Sequence, residues 1–421
     1  MYFLFSFANI LYMMYDVIII GAGVAGLYAA YTIKRVSPKT TFLILEKHSK
    51  HDGLGGRAGN EMFCGTEVVT GAGIGRRKKD KLLYRLLKDL SIETREFTVE
   101  PHYSNTIHKS DIPKIMEDLK THLRQKKDSE KSETFKSFAT NILGTKEYNQ
   151  FVITSGYTDY ENEDVHDVLY HYGMDDNATR YTGFYVAWKK MVLKMAETIG
   201  SEHIRFSYNV AAISKFETLF EIHKASSDHF YSAKKVILAT TISGIRTLLP
   251  DFRIYKEIEG QPFLRVYGKF DKKSTTIMNQ FVNGTTIVPG PLQKIIPIDS
   301  EKGIYMIAYS DNKHALYLKT HLENTEQNRH FFCRILEQSL GIPRDSLKLI
   351  TMKPIYWDIG THYYKPLDKR FHKTRVGFIA DAQHPVKDVL VVGEVVSLQQ
   401  GWTEGALESV QATVTKKWLS H

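Results

Sequence analysis

The chain has 421 residues, of which 43% are apolar and 24% charged, and carries a formal net charge of +9. That is room for two domains or one two-lobed unit, in a composition ordinary for a soluble globular protein. Only Cys64 and Cys333 are present; this excludes a disulfide framework, fits neither a zinc site nor a redox pair, and sets the expectation of a reducing, cytoplasmic compartment.

Residues Met1 to Met13 are apolar and aromatic. They are too short to span a bilayer and lack the basic flank and cleavage site of a secretory signal. The expectation is a natural start at Met13 or Met14, or a surface extension. From Asp16 the chain reads Asp-Val-Ile-Ile-Ile-Gly-Ala-Gly-Val-Ala-Gly-Leu. An apolar run opening into Gly-x-Gly-x-x-Gly describes a buried parallel strand, a tight turn and a helix over Val24 to Lys34. Gly21 permits the turn, Gly23 lets a pyrophosphate approach, Gly26 lets helix and strand pack, and Ala25 lies in the same phosphate-facing turn. A second apolar run, Thr41 to Leu45, ends at Glu46, beside Lys47. Glu46 lies twenty residues past Gly26, where a carboxylate accepts ribose hydroxyls. Strand, helix and acid together specify an adenine dinucleotide site.

Next come Leu54-Gly55-Gly56-Arg57-Ala58-Gly59 and Val68-Val69-Thr70-Gly71-Ala72-Gly73-Ile74-Gly75. Paired glycines beside an arginine admit a ligand to the backbone and aim a planar cation at phosphate oxygens. The small residues Gly71, Ala72 and Gly73, followed by Ile74, suit a flat ring lying on the chain. Either stretch by itself also fits a plain loop. The basic run Arg76-Arg77-Lys78-Lys79-Asp80-Lys81 has no interleaved aromatics and reads as a solvated helix start rather than a nucleic-acid surface.

The order of these parts resembles the flavin-containing amine oxidase family: monoamine and polyamine oxidases, flavin-type lysine demethylases and L-amino-acid oxidases. The resemblance implies FAD as cofactor, with Arg57 near the flavin's phosphate and ribityl chain and the 71–74 turn against its ring.

Helical spacing is expected over Lys81 to Leu90, Pro113 to Gln125, Thr134 to Leu143, Glu161 to Tyr172 and Tyr185 to Ile199, with an exposed charged loop over 126–133. The acidic stretch Gly156 to Asp164 reads first as carboxylates complementing a helix N-terminus, and second as a lure for a cationic amine. His166 and His171, five apart, do not share a helical face, so no metal site is expected. A hairpin is expected from Asn209–Ile213 and Phe216–Ile222, then a buried parallel strand over Lys235 to Thr240. In the family a strand like Val210 to Ile213 lends its backbone to the adenine. Alternating runs Phe263–Phe270, Thr275–Val282, Lys294–Ile298 and Gly303–Tyr309 suggest an antiparallel sheet, followed by a helix over Thr325–Leu340 and a strand near Leu347–Met352.

The closing segment, Lys387 to Glu394 and then Gly401-Trp402-Thr403-Glu404-Gly405, reads as a strand ending in Gly-Glu and a helix to about Leu419 with Thr403 as its N-cap. It resembles the family's final motif. That implies Gly393 and Glu394 at the ribityl and phosphate, and Gly401, Trp402 and Thr403 at the edge of the ring, where a helix N-terminus stabilises negative charge.

The fold class expected is α/β and two-lobed: a Rossmann-type FAD-binding domain from segments 14–80, 201–252 and 371–421, and a substrate domain with a helical part, 81–200, and a sheet, 253–370. The function implied is oxidation of an amine, polyamine or side-chain amine, by hydride transfer to the flavin. Imine hydrolysis follows, with reoxidation by oxygen or another acceptor. Trp402 and Trp357 are the candidate aromatics beside the ring, with His362, Tyr363 or Tyr364 as the second of the pair; core packing is an equal reading for Trp357. One residue departs from the pattern. Arg265 stands where the family has a lysine near the reactive nitrogen, and Lys269, on the same strand face, lies too far along to replace it. The alternatives are a desaturase or protoporphyrinogen-oxidase-like enzyme, and a low-turnover FAD-binding scaffold motivated by Arg265.

Overall fold

The structure, a computed structural model, describes residues 14–126, 132–174 and 178–420. The expectation for residues 1–13 lies outside them, as does most of the charged loop 126–133. No helix among the described residues is long and apolar enough to cross a membrane.

Two sheets organise the α/β chain. The first is built on Met14–Ile20, which pairs in parallel with Phe42–Leu45 on one side and Phe230–Leu238 on the other. Its residues Val17, Ile18 and Ile19 are fully buried, because helices cover both faces of a parallel sheet and leave no polar side. Ile204–Arg205 extends it beyond Phe42–Leu45, and Val389–Val391 joins it from the far end of the chain against Val236 to Leu238. A hairpin, Val210–Phe216 with Leu219–Lys224, continues it antiparallel. The helix Val24–Val36 packs on one face in a core that also takes in Lys81–Asp89, Trp188–Ile199 and the closing helix Thr403–Thr413.

The second sheet runs in the order Leu349–Tyr364, Ile258–Phe270, Ile304–Asp311, Lys294–Asp299, Thr286–Ile287 and His102–Tyr103. Where Phe263 faces Trp357, Gln261 already faces Thr361, so the longer strand carries extra residues there and bulges. Helices Ile112–Gln125, Phe135–Ser155 and Val165–Tyr170 form a separate core beside this sheet.

Several elements differ from the sequence expectation; the strand expected near Leu347–Met352 runs from Leu349 on to Tyr364, and the helix expected from Tyr185 begins at Trp188. Thr275–Val282 is not a strand: Lys272–Phe281 is a helix, capped by Asp271 accepting from the Ser274 amide at 2.8 Å, with Ser274 and Met278 inward at helical spacing. The expected helix over Glu161 to Tyr172 begins only at Val165, where Asp164 caps it. The helix from Thr134 runs through to Ser155, with a kink at Gly144. The closing helix stops at Thr413, a short helix Lys416–Ser420 follows, and Trp402 rather than Thr403 occupies the N-cap.

Gly26 is where strand and helix meet: a Cβ there would lie 1.9 Å from the Gly21 carbonyl oxygen, whereas one at Gly23 would meet nothing within 4 Å. Gly26→Ala is therefore expected to cost about 1–3 kcal/mol in urea denaturation, and Gly23→Ala less than about 1 kcal/mol. Equal midpoints for the two variants would contradict this packing.

Candidate active site

The residues expected to bind the cofactor, Gly26 excepted, line one continuous cleft of about 2510 Å³ together with Arg265, Trp357 and Trp402. Gly26 sits behind it as a packing residue. At one end the helix Val24–Val36 starts at Gly23 with no side-chain cap, so its first amides face the cleft as a ready anion site. The buried Glu46 carboxylate is fixed beside them, accepting from the Ala22 amide at 2.8 Å and the His48 amide at 2.9 Å. Gly55 and Gly56, both at positive φ, fold back on this turn, with the Gly55 amide donating to the Ala22 carbonyl at 2.9 Å. Only glycine takes that shape without strain.

The two ends of the chain meet at Glu394. Its carboxylate accepts from Arg57 at 2.8 Å, from the Gly401 amide at 2.9 Å and from His362 Nδ1. His362 Nε2 accepts from the Ile242 amide at 3.1 Å, which leaves the ring proton on Nδ1, facing Glu394. Burial works to raise the Glu394 pKa, but His362, Arg57 and the Gly401 amide together hold it well below the ordinary carboxylate range. Arg57 also donates to the Gly360 carbonyl at 2.7 Å, a group that the strand bulge frees from the ladder.

The turn over residues 69–73 is held from several sides. Tyr267 donates to the Val69 carbonyl at 2.7 Å, Trp357 to Thr70 at 2.8 Å and Trp188 to Gly73 at 2.7 Å, while Arg265 donates to Gly71. Gly71 admits no side chain, since its Cβ would stand 1.9 Å from the Arg57 carbonyl oxygen. Across the cleft, Trp402 meets Trp188 edge to face at 6.1 Å. Thr403 opens the closing helix, which has no side-chain cap. Glu404 in its first turn accepts instead from the amides of Leu82 and Leu83.

None of the three residues offered for the second aromatic borders the cleft. Trp357 and Thr361 line the cleft, but His362, Tyr363 and Tyr364 do not. Side chains alternate along a strand, so His362 and Tyr364 turn to the opposite face, Tyr364 reaching the Ser397 carbonyl at 3.0 Å. Lys269 also lies off the cleft, donating to the Lys302 carbonyl. His166 and His171 lie closer than their spacing implied, 5.8 Å between rings, because the helix ends at Tyr170. Asp167 beside them is engaged by Arg375 at 2.6 Å. Arg76, Lys78, Lys79 and Lys81 also border the cleft, at the start of Lys81–Asp89.

Several cleft residues were missed, among them Lys294 and Asp159. Lys294 begins a strand and carried no motif. Asp159 lay in the acidic stretch assigned to a helix N-terminus; Asp164 does that work, while Asp159 turns to the cleft.

A model of NAD(P)-binding Rossmann-like domains matches residues 19–90. No curated protein matches the sequence. Among solved structures, the chain is similar to a double mutant of putrescine oxidase with redesigned cofactor binding, at TM-score 0.75 and 15% identity over 97% of this chain and 100% of that one. Wild-type putrescine oxidase bound to putrescine gives 0.75 and 15% over 96% and 98%. Cyclohexylamine oxidase from Brevibacterium oxydans IH-35A gives 0.74 and 15% over 96% and 99%. The Rossmann-like sheet and the separate mixed sheet are thus those of the amine oxidase fold.

Glu394→Gln strips Arg57 of its carboxylate and is expected to cost about 3 kcal/mol at neutral pH. Because the folded pKa is depressed, the wild-type advantage is complete above the unfolded value, about 4.3. It shrinks as pH falls below that value and is gone once pH passes the folded pKa. Stability of the two proteins measured from pH 7 to 3 checks this; a gap that widened on acidification would contradict it.

Proposed function

We propose that the protein is an FAD-dependent oxidoreductase that oxidises an amine. One observation carries the reading. The glycine turn with Glu46 and the Gly401–Thr403 segment, at opposite ends of the sequence, line a single cleft. A long dinucleotide fits that arrangement, since Gly23 leaves open space where a side chain would intrude. The likeness of the fold to putrescine and cyclohexylamine oxidases adds support.

In this reading Glu46 receives the ribose and the uncapped start of Val24–Val36 receives the pyrophosphate. Arg57 and Glu394 hold the ribityl end, and the 69–73 turn backs the ring. The bound flavin supplies the hydride acceptance that no side chain here offers. Around it, Trp357 and Trp402 form apolar walls that orient the amine and exclude water, and the uncapped start of Thr403–Thr413 favours negative charge at the ring's edge. Arg265 places a permanent positive charge beside the Gly71 carbonyl. Its commitment to Gly71 and to Met306 at 3.9 Å is the one observation favouring the scaffold reading.

The purified chain is expected to retain FAD and to lose its flavin colour when an amine is added without oxygen. Failure to bind FAD would overturn the proposal; retention of FAD with no bleaching by any amine would select the scaffold. Arg265→Lys is expected to raise peroxide formation during amine turnover.

A further inference from the structure

Lys294 is 5% exposed, yet it opens onto the cleft. Its ammonium forms no hydrogen bond or ion pair with any described residue. Instead it rests 2.9 Å from the centre of the Tyr157 ring and 5.4 Å from that of Tyr309. The other face-bound cation of Tyr309 is Arg265, at 4.3 Å. A buried ammonium without an anionic partner is costly, and aromatic faces compensate only part of that cost.

The nearby acids do not supply the partner. Asp311 is buried off the cleft and is taken by the Thr158 amide at 3.0 Å, the Thr158 hydroxyl and Gln293 at 3.0 Å. Asp159 borders the cleft but accepts from Tyr172. Burial and the neighbouring Asp311 push the Asp159 carboxyl up, which weakens it as a counter-ion. Burial draws Lys294 down to about 7 against the pull of Asp311 and Asp159, with Arg265 adding to the fall. A ligand anion would reverse that shift.

We propose that Lys294 receives a carboxylate of the ligand in a subsite walled by Tyr157 and Tyr309. Resting on the amine-oxidising reading above, this makes the substrate an amine that also bears a carboxylate rather than a simple polyamine. In a polyamine every charge would repel the Lys294 ammonium. A carboxylate satisfies Lys294 and leaves the amine to face the tryptophan-walled part of the cleft.

The test uses the full chain and benzoate, benzamide and benzylamine, probes of one shape with negative, neutral and positive substituents. Acetylation of Lys294 by limiting acetic anhydride at pH 7, read by peptide mass spectrometry, should slow about tenfold with saturating benzoate and little with the other two. Lys294→Met should weaken benzoate binding about tenfold or more, and Lys294→Arg should largely retain it. Equal protection by benzoate and benzamide, protection by benzylamine alone, or no protection by any probe would overturn the proposal. None of these readouts needs turnover. If FAD fails to bind, the oxidase reading falls while benzoate protection can stand; if amines bleach the flavin without benzoate protection, the reverse holds.

Discussion

A single buried carboxylate, Glu394, holds the site together. It is bound at once by a cation from the first sixty residues, an imidazole from the long strand of the second sheet and an amide from the closing segment. Each partner satisfies a group that would otherwise be costly to bury. The arrangement also fixes geometry. Arg57 cannot reach both Glu394 and the Gly360 carbonyl unless the bulge of Leu349–Tyr364 stands where it does. Packing of the second sheet against the first is thereby coupled to the position of the Gly-Gly-Arg loop, and through it to the glycine turn.

The 69–73 turn extends the same logic further along the cleft. A loop with so many small residues has little packing of its own. Here its carbonyls are taken by the side chains of Tyr267, Trp357, Arg265 and Trp188, from the second sheet and from the helix Trp188–Ile199. Preorganisation of this kind matters where a flat ligand must lie against backbone, because the cost of ordering the loop is met on folding rather than on binding. Arg265 takes on a structural meaning in this light. Its planar fork reaches a carbonyl and a thioether together, with its cationic face on Tyr309; a lysine offers no such fork.

What could be read from the sequence was whatever local backbone chemistry demands. Gly21 to Gly26, Glu46, Gly55 to Arg57 and Gly393-Glu394 stand out because a tight turn and a close backbone approach restrict residue type at fixed spacing, and because Glu46 stands at the interval that a ribose contact would require. Features set by tertiary register were not. His362, Tyr363 and Tyr364 were interchangeable as partners for the first aromatic, and none lines the cleft: His362 turns to Glu394 and Tyr364 to the Ser397 carbonyl. Thr275 to Val282 alternates like a strand, but the Asp271 cap starts a helix one turn earlier. Lys294 is an unremarkable strand residue in sequence; only folding strips its ammonium of partners. Cleft aromatics such as Tyr157 and Tyr309 come from elements far apart in the chain, and no local pattern announces that they meet.

The central claim is that both ends of the polypeptide grip one dinucleotide. Hydrogen exchange across an FAD titration tests it most directly. The amides of residues 21–26 and those of 401–406 are expected to slow together, with a common half-saturation. Slowing confined to 21–26, with the closing segment unchanged at saturating FAD, would contradict it.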